Sequence, residues 1–183
     1  MLRRAIDAFG DPKTRDIACV AGGMGALLAG RKLIGLGLFA KGFYGLERRW
    51  REERAFEGTW AERWERSVAF YEATHTHPVN RTLHRVGIPM IVAGAAGLLA
   101  YPAYRPLWAA SAGLFTVGWG LNFIGHGLYE KNAPAFADDP LSFLAGPVWD
   151  LQQLRGGAAR PGPSAVTVEH APLDAPEPVG AGA

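Results

Sequence analysis

Long apolar runs alternate with charged stretches along the chain, and the first apolar region covers residues 17–46. Arg31 and Lys32 divide it into two runs of about 14 residues, which are short for the roughly 30 Å hydrocarbon layer of a bilayer. Glycine recurs in both runs, and small residues let two helices approach closely. The pattern predicts a tight, Gly-lined helical hairpin over residues 1–50, with a hairpin buried inside a soluble protein as the alternative.

A charged stretch follows over residues 47–77, and it keeps one apolar face. Trp60, Trp64 and Tyr71 recur at helical spacing on that face, while arginines and glutamates cover the others. This pattern is typical of a helix that lies on a membrane interface. His75 ends the apolar stripe, so its position within the stretch is not random.

Two further apolar runs, residues 86–104 and 106–129, are each long enough to span a bilayer. Arg105 lies in the short connection between them, so the two runs predict a second hairpin. Lysines and arginines crowd the N-terminus and the stretches that precede the second hairpin, whereas few stand at the hairpin tips. By the positive-inside rule, both termini and the central amphipathic region face the cytoplasm, and the tips face away.

The patterns together predict an all-α fold, an integral membrane helical bundle of two helical hairpins plus interfacial amphipathic helices. Asp139 followed by Pro140 predicts the start of a short helix after the second hairpin. Residues 156–183, which include His170, lack apolar periodicity and are predicted to be a disordered tail. Residues 51–155 would form the second domain, after the Gly-rich hairpin.

Composition and charge exclude several classes of function. A formal net charge of +2 over 183 residues, with no basic stripe among aromatics, gives no reason to expect a nucleic-acid partner. Cys19 is the one cysteine of the chain, which excludes an internal disulfide, a cysteine zinc site and a cysteine-ligated iron–sulfur cluster. No secretory signal is expected, because Asp7, Asp11 and Pro12 interrupt residues 1–16.

Apart from His170, all histidines lie in two motifs, "HTHPVNRTLHRVGIP" at 75–89 and "NFIGHGLYEKNAPAF" at 122–136. In each motif, polar residues recur every four positions and so share one helix face. These residues are Asn80 and His84 in the first motif, and Asn122, His126 and Glu130 in the second.

A hairpin of the last two apolar runs would bring the motifs together, because the start of one helix lies level with the end of the other. His84 would then meet His126 and Glu130, and the interfacial helix would deliver His75 to the same level. Two or three imidazoles with one carboxylate suit non-haem Fe(II). Zinc accepts the same ligands and would indicate hydrolysis instead. Residues 51–155 are therefore predicted to be a His/Glu metal-binding membrane domain.

Asn80 and Asn122 are predicted to support the metal site by fixing the imidazole tautomers. The alternative is that each histidine is a helix-end residue bonded to a carbonyl, and that Glu130 beside Lys131 is a solvated fringe. Ionisable groups at the ends of apolar helices are costly and usually functional, which favours the metal site.

The motifs "HTHPVNRTLHRVGIP" and "GWGLNFIGHGLYEKNAPAF" resemble those of the membrane 2-hydroxy-fatty-acid dioxygenase family, over roughly residues 71–149. The resemblance implies an Fe(II)-dependent enzyme of fatty-acid α-oxidation, which converts a 2-hydroxy fatty acid and O₂ to the one-carbon-shorter acid and CO₂. It also implies His75, His84 and His126 as metal ligands, with Glu130 completing the shell or acting as a base. The short connection between the apolar runs and the added Gly-rich hairpin leave the substrate chain length open.

Candidate substrate-binding residues lie on the same two helices. Arg81 or Arg85 would attract the substrate carboxylate, unless these side chains anchor the protein at the cytoplasmic surface. The acyl chain would lie against Phe115, Trp119 and Phe123. No nicotinamide or flavin is expected, because the chain has no G-x-G-x-x-G unit in a strand–helix context.

The predicted partners are a fatty-acid substrate, O₂ and membrane lipids. The predicted location is an integral membrane protein of a bacterial inner membrane or of the endoplasmic reticulum, with its site facing the cytoplasm. Two alternatives remain open: a metal-dependent membrane lipid hydrolase, and a non-enzymatic membrane scaffold. In the scaffold, the Gly-rich hairpin would mediate homo-oligomerisation and the His/Glu groups would only pack.

Overall fold

Residues 10–154 are described in the computed structural model of this chain, and they form helices and turns with no strand among them. The predicted all-α fold class is confirmed. The predicted tail 156–183, with His170, lies outside the described residues. The helices are α1 (Pro12–Leu28), α2 (Lys32–Glu53), α3 (Trp60–Thr74), α4 (Pro78–Ala100), α5 (Pro106–Ile124) and α6 (Ser142–Leu154). A π-helical turn, Gly125–Glu130, continues α5, and a 3-10 turn, Ala135–Ala137, precedes α6.

Local capping residues decide where the helices around the candidate site begin. The Thr59 side chain accepts the backbone N–H of Glu62 while the Glu62 carboxylate accepts that of Thr59, so this capping box starts α3. The charged stretch 47–77 is therefore two pieces, because α2 runs on to Glu53 before α3 begins. His77 caps α4, and Pro78 follows at a position where its missing N–H costs nothing.

Helices α4 and α5 pack with their backbones close together, since small residues line the contact. A Cβ atom on Gly94 would lie 2.6 Å from the backbone nitrogen of Phe115, and one on Gly118 would lie 2.6 Å from the carbonyl oxygen of Gly87. These pairs run in opposite directions along the two helices, so α4 and α5 are antiparallel. The start of α4 is consequently level with the end of α5.

Helices α1 and α2 pack against each other in the same manner. A Cβ atom on Gly23 would lie 2.7 Å from the backbone nitrogen of Phe39. Gly30 turns the chain between the helices at a φ of 72°, which glycine adopts without strain. The turn lies against the α4–α5 turn, where Lys32 Nζ donates to the carbonyls of Leu99 at 2.6 Å and Tyr101 at 2.7 Å.

The buried core next to these turns joins both helix pairs. Leu98, Trp108 and Phe115 form a buried cluster between α4 and α5. Met24 and Leu27 of α1 pack against it. Both turns are thus held at one end of the molecule, and the start of α4 lies away from them.

Two helices within residues 10–154, Pro78–Ala100 and the continuous Pro106–Glu130, are long and apolar enough to cross a membrane by length and composition. Within their most apolar windows only 33% and 28% of the residues are buried inside the protein. Large apolar side chains on both helices, among them Val86, Leu107 and Val117, are therefore exposed. α1 and α2 do not meet the same criteria.

Candidate metal centre

Three histidines from three different elements converge at the level where α4 begins and α5 ends. His75 is the residue after α3, His84 lies in the second turn of α4, and His126 lies in the π-helical turn. One ring nitrogen from each lies within 4.8 Å of those of the other two. The ring centroids are 4.7 to 5.0 Å apart, with the rings nearly perpendicular. This grouping leaves space for one ion between the rings.

The Nδ1 atom of each imidazole is already engaged by an acceptor. His75 Nδ1 donates to the Tyr71 carbonyl at 2.7 Å, and His84 Nδ1 donates to the Asn80 carbonyl at 3.0 Å. His126 Nδ1 donates to Asn132 Oδ1 at 2.8 Å. Each ring therefore carries its proton on Nδ1 and leaves the Nε2 lone pair free to bind a metal. Metal-bound histidines in proteins usually make this kind of outer hydrogen bond.

All three rings are buried. His75 is 4% exposed, and His84 and His126 are each 3% exposed. Burial, together with a smaller contribution from the neighbouring imidazole of His84, lowers the pKa of His75 to about 3. Neutral imidazole is the form that binds a divalent metal, so this donor set fits Fe(II) or Zn(II).

Glu130 is not brought to the three histidines. Its carboxylate accepts the backbone N–H of His77 at 2.7 Å and the side-chain amide of Asn80 at 3.3 Å. The prediction placed it beside His126 because α-helical residues four apart share a face. The chain is π-helical over these residues, and the carboxylate is held instead by its bonds to His77 and Asn80. Glu130 instead joins the end of α5 to the junction between α3 and α4.

The two asparagines hold positions other than the predicted ones. Asn80 supports His84 through its backbone carbonyl, and its fully buried side chain points to Glu130. Asn122 lines the cavity described below, and its buried Oδ1 has no hydrogen-bond partner within the protein. Neither side chain fixes an imidazole tautomer.

Asn132 performs that role for His126, and the sequence analysis missed it. Its side-chain amide also donates to the Thr74 carbonyl at 3.1 Å, so it links the second motif to the end of α3. Lys131, just before it, has a φ of 56° and reverses the chain. Asn132 belongs to the quoted motif, but only this turn aims it back at His126.

A cavity of about 590 Å³ opens next to the histidines, a size within the range of small-molecule sites. All three histidines line it, and nearly all its other lining side chains are apolar. Trp119 and Phe123, for which contacts with an acyl chain are predicted, are among them. Arg81 and Arg85 are not among the lining residues: Arg81 stacks over the Trp149 ring at 5.1 Å, and Arg85 is exposed.

Tyr71 and Asp150 form a second feature that the sequence analysis did not find. The Tyr71 ring stacks on His75 with 3.8 Å between centroids, and its hydroxyl donates to the Asp150 carboxylate. Burial raises the pKa of Asp150 to about 6, while the Tyr71 hydrogen bond opposes this shift. Helix α6 thus holds the ring that backs His75.

Comparison with known proteins identifies a family for this chain. The family model described as 2-hydroxy-palmitic acid dioxygenase Mpo1-like matches residues 61–157, just over half of the 183-residue chain. The 2-hydroxy-palmitic acid dioxygenase MPO1 of Saccharomyces cerevisiae is 56% identical over 32 residues, 18% of each chain, so the match spans under a fifth of that relative. No solved structure matches. The chain belongs to the Mpo1-like family.

Proposed function

We propose that this protein is an Fe(II)-dependent dioxygenase of fatty-acid α-oxidation. It would convert a 2-hydroxy fatty acid and O₂ to the fatty acid one carbon shorter, CO₂ and water. Four electrons leave the substrate and four reduce O₂, so no further reductant is needed. The observation that carries the proposal is the convergence of three buried imidazoles at one end of an apolar cavity.

Fe(II) held by Nε2 of His75, His84 and His126 would supply open coordination positions and one-electron chemistry at the carbon that bears the hydroxyl. The chain contributes the orientation of the three rings, because the acceptors at Nδ1 prevent them from turning. Those acceptors come from two backbone carbonyls and from Asn132. Removing one acceptor should therefore weaken metal binding without removing a ligand.

The cavity walls would hold the acyl chain and exclude water from the reacting carbon. Trp119 stacks with Phe123 and Phe143, which makes a continuous aromatic wall next to His126. Asn122 lies one turn before His126 in the chain, and its unpartnered Oδ1 is available to accept a hydrogen bond from the substrate hydroxyl. A buried acceptor left unpaired is costly, so a substrate that donates to it gains affinity.

The substrate carboxylate would lie next to the three histidines, at the polar end of the cavity. Arg81 and Arg85 are candidates to attract it as it arrives, and Arg81 also stacks on Trp149. Glu130 takes the role of a positioning residue in this proposal, since it ties His77 and Asn80 to the end of α5. A role for Glu130 as a base would require its carboxylate to leave these bonds.

The proposed setting is a membrane, with α4 and α5 spanning it and α1 and α2 embedded beside them as the Gly-rich hairpin domain 1–50. Exposed apolar side chains on α4 and α5 support this placement, because most of each apolar window faces outward. The bonds from Lys32 to Leu99 and Tyr101 support it as well, since they hold both turns at one depth. The metal centre would then lie at the cytoplasmic side, in the domain 51–155.

Oxygen uptake tests the proposed reaction directly. Protein purified without oxygen should consume O₂ with 2-hydroxypalmitate only after Fe(II) is added, and release one CO₂ for each O₂. His84→Ala should lose the activity while still inserting into the membrane. His77→Asn is the matched control, because His77 lies outside the cluster and asparagine can also cap α4. An active His84→Ala variant would reject the assignment.

A metal-dependent lipid hydrolase is the second candidate, and one observation favours it. The described cluster holds three histidines and no carboxylate, which is also a donor set of catalytic zinc. Product release from a lipid ester under anaerobic conditions with Zn(II), and no O₂ uptake with Fe(II), would select the hydrolase.

A further inference from the structure

The cavity has a polar end and an apolar end, and both can be located on α4. His84 lies at the polar end, and the α4 residue farthest from it among those that line the cavity is Ala95. Ile88, Ile91 and Val92 lie between them. The cavity therefore follows α4 from the metal centre towards the turn between α4 and α5.

The length of this path follows from helix geometry. Ala95 comes eleven residues after His84, which is about three turns of helix and about 16 Å of rise. Residues three turns apart share a face, as both side chains must to line one cavity. On α5, Phe115 lies eleven residues before His126 and is likewise the lining residue farthest from the histidines.

Packed side chains close the apolar end. Leu98, one turn beyond Ala95, is fully buried in the cluster with Trp108 and Phe115. Ala95 packs against this cluster. A protein interior of this kind is close-packed, so an acyl chain cannot extend through it without displacing side chains.

We propose that Ala95 forms the floor of an acyl-chain pocket and thereby sets the longest chain that the protein accepts with full affinity. The proposal rests on the proposed function in one respect, namely that the ligand is a fatty acid with its head group at the histidines. An extended chain advances about 1.2 Å per bond, as the three backbone bonds of an extended residue do over about 3.6 Å. The path to Ala95 thus holds about 13 bonds of chain beyond the head group.

Substitution of Ala95 tests the floor. Ala95→Leu adds two bonds of side chain beyond Cβ, so it should shorten the accepted chain by about two carbons. Ala96→Leu is the matched control, because Ala96 is the next residue on α4 and its side chain is exposed, about 100° round the helix. Ala95→Val makes a smaller step in the same direction, and it carries the test if Ala95→Leu does not fold.

The measurement is the dependence of kcat/KM on chain length, with saturated 2-hydroxy acids from decanoic to octadecanoic. For the wild type, each added methylene should raise kcat/KM up to roughly fourfold until the cavity is full, after which the value should level off. In Ala95→Leu this break should move about two carbons shorter, and the acid that just fills the wild-type cavity should lose roughly fifteenfold. Ala96→Leu should keep the wild-type break.

A second measurement separates this inference from the proposed reaction. The same saturated acids without the hydroxyl are titrated into metal-free protein, with displacement of a fluorescent fatty acid as the readout. A break that moves in Ala95→Leu supports the floor even if no 2-hydroxy acid is oxidised, and in that case only the proposed reaction fails. Oxygen uptake with no movement of the break overturns the floor and leaves the reaction standing. An equal shift in Ala96→Leu, or no break at any length because the chain leaves sideways past the exposed Val92, also overturns the floor.

Discussion

Two clusters of polar side chains are buried in this protein. In one of them the side chains bond to one another, and in the other they do not. Arg63 is fully buried, and its guanidinium donates to Glu47 at 2.8 Å and to Asp139 at 2.7 and 2.9 Å. It also stacks 3.5 Å from the Trp50 ring. The hydroxyl of Ser67 takes up a further lone pair of Asp139. The charged groups of this cluster are therefore paired with one another.

The three histidines of the other cluster make no hydrogen bonds to one another. Their three rings use Nδ1 to bond outward and turn their other nitrogens towards one another, with no acid among the grouped atoms. The difference indicates two purposes. The Arg63 cluster joins α2, α3 and the segment before α6, whereas the histidine cluster could hold a metal ion.

The largest effect on stability should come from breaking the Arg63 cluster. Arg63→Ala leaves Asp139 buried without its counter-ion and leaves Glu47 paired only with Arg51, which should lower the free energy of unfolding by about 3–5 kcal/mol. Thermal or denaturant unfolding in detergent measures this. Glu65→Ala, on the exposed side of the same helix, should change stability by at most about 0.5 kcal/mol. Equal effects of the two variants would show that the cluster does not stabilise the fold.

Metal affinity should respond to the acceptor behind His126. Asn132→Ala removes the acceptor at Nδ1, so Fe(II) or Zn(II) affinity should fall roughly 10–100-fold while the three ligands remain. Asn132→Asp should lose less, because a carboxylate still accepts from Nδ1. Titration with a competing chelator gives the affinities. An alanine variant that binds metal as tightly as the wild type would contradict this role for Asn132.

The stability of the metal-free protein should depend on pH through His75. Its folded pKa is lowered from 6.5 to about 3, so below pH 6.5 the unfolded chain binds a proton that the folded chain does not. The contribution of His75 to the free energy of unfolding is therefore complete above pH 6.5 and is lost as the pH falls towards 3. Unfolding curves across this window, compared with those of His75→Asn, give the difference. A wild type whose pH dependence matches the variant would contradict the burial of a neutral ring.

Asp150 should produce a smaller pH effect of the opposite sign. Its folded pKa is raised from 3.8 to about 6, so its contribution is complete below pH 3.8 and is lost as the pH rises through 6. Asp150→Asn keeps an acceptor for Tyr71 but cannot ionise, so the variant should not lose stability over this interval. Paired unfolding curves at pH 5 and pH 7 check this. A wild type that gains stability from pH 5 to pH 7, relative to the variant, would contradict the predicted loss.

The helices could be predicted from the sequence because their signals are local. Apolar runs, the Asn80–His84 spacing and the Pro78 start all lie within a few residues of the elements they define. The meeting of His84 and His126 followed from one assumption, that two long apolar runs joined by a short connection lie side by side. The structure has these runs packed antiparallel, with the two rings at the same level.

The rest depends on contacts that no local pattern encodes. Arg63 and Asp139 are separated by 76 residues, and Tyr71 and Asp150 by 79, so only the packed fold pairs them. The spacing of Glu130 from His126 predicts a shared helix face, but the Glu130 carboxylate is held by His77 and Asn80, 53 and 50 residues away in the chain.

Metal content is the measurement that tests the central claim most directly, the claim that three buried histidines hold one divalent ion. Protein purified without oxygen and loaded with Fe(II) is analysed by mass spectrometry of its metals, together with His84→Ala and His77→Asn. The account predicts close to one iron per chain for the wild type and for His77→Asn, and almost none for a folded His84→Ala. A wild type that retains no divalent metal, or a His84→Ala variant that retains as much as the wild type, would contradict it.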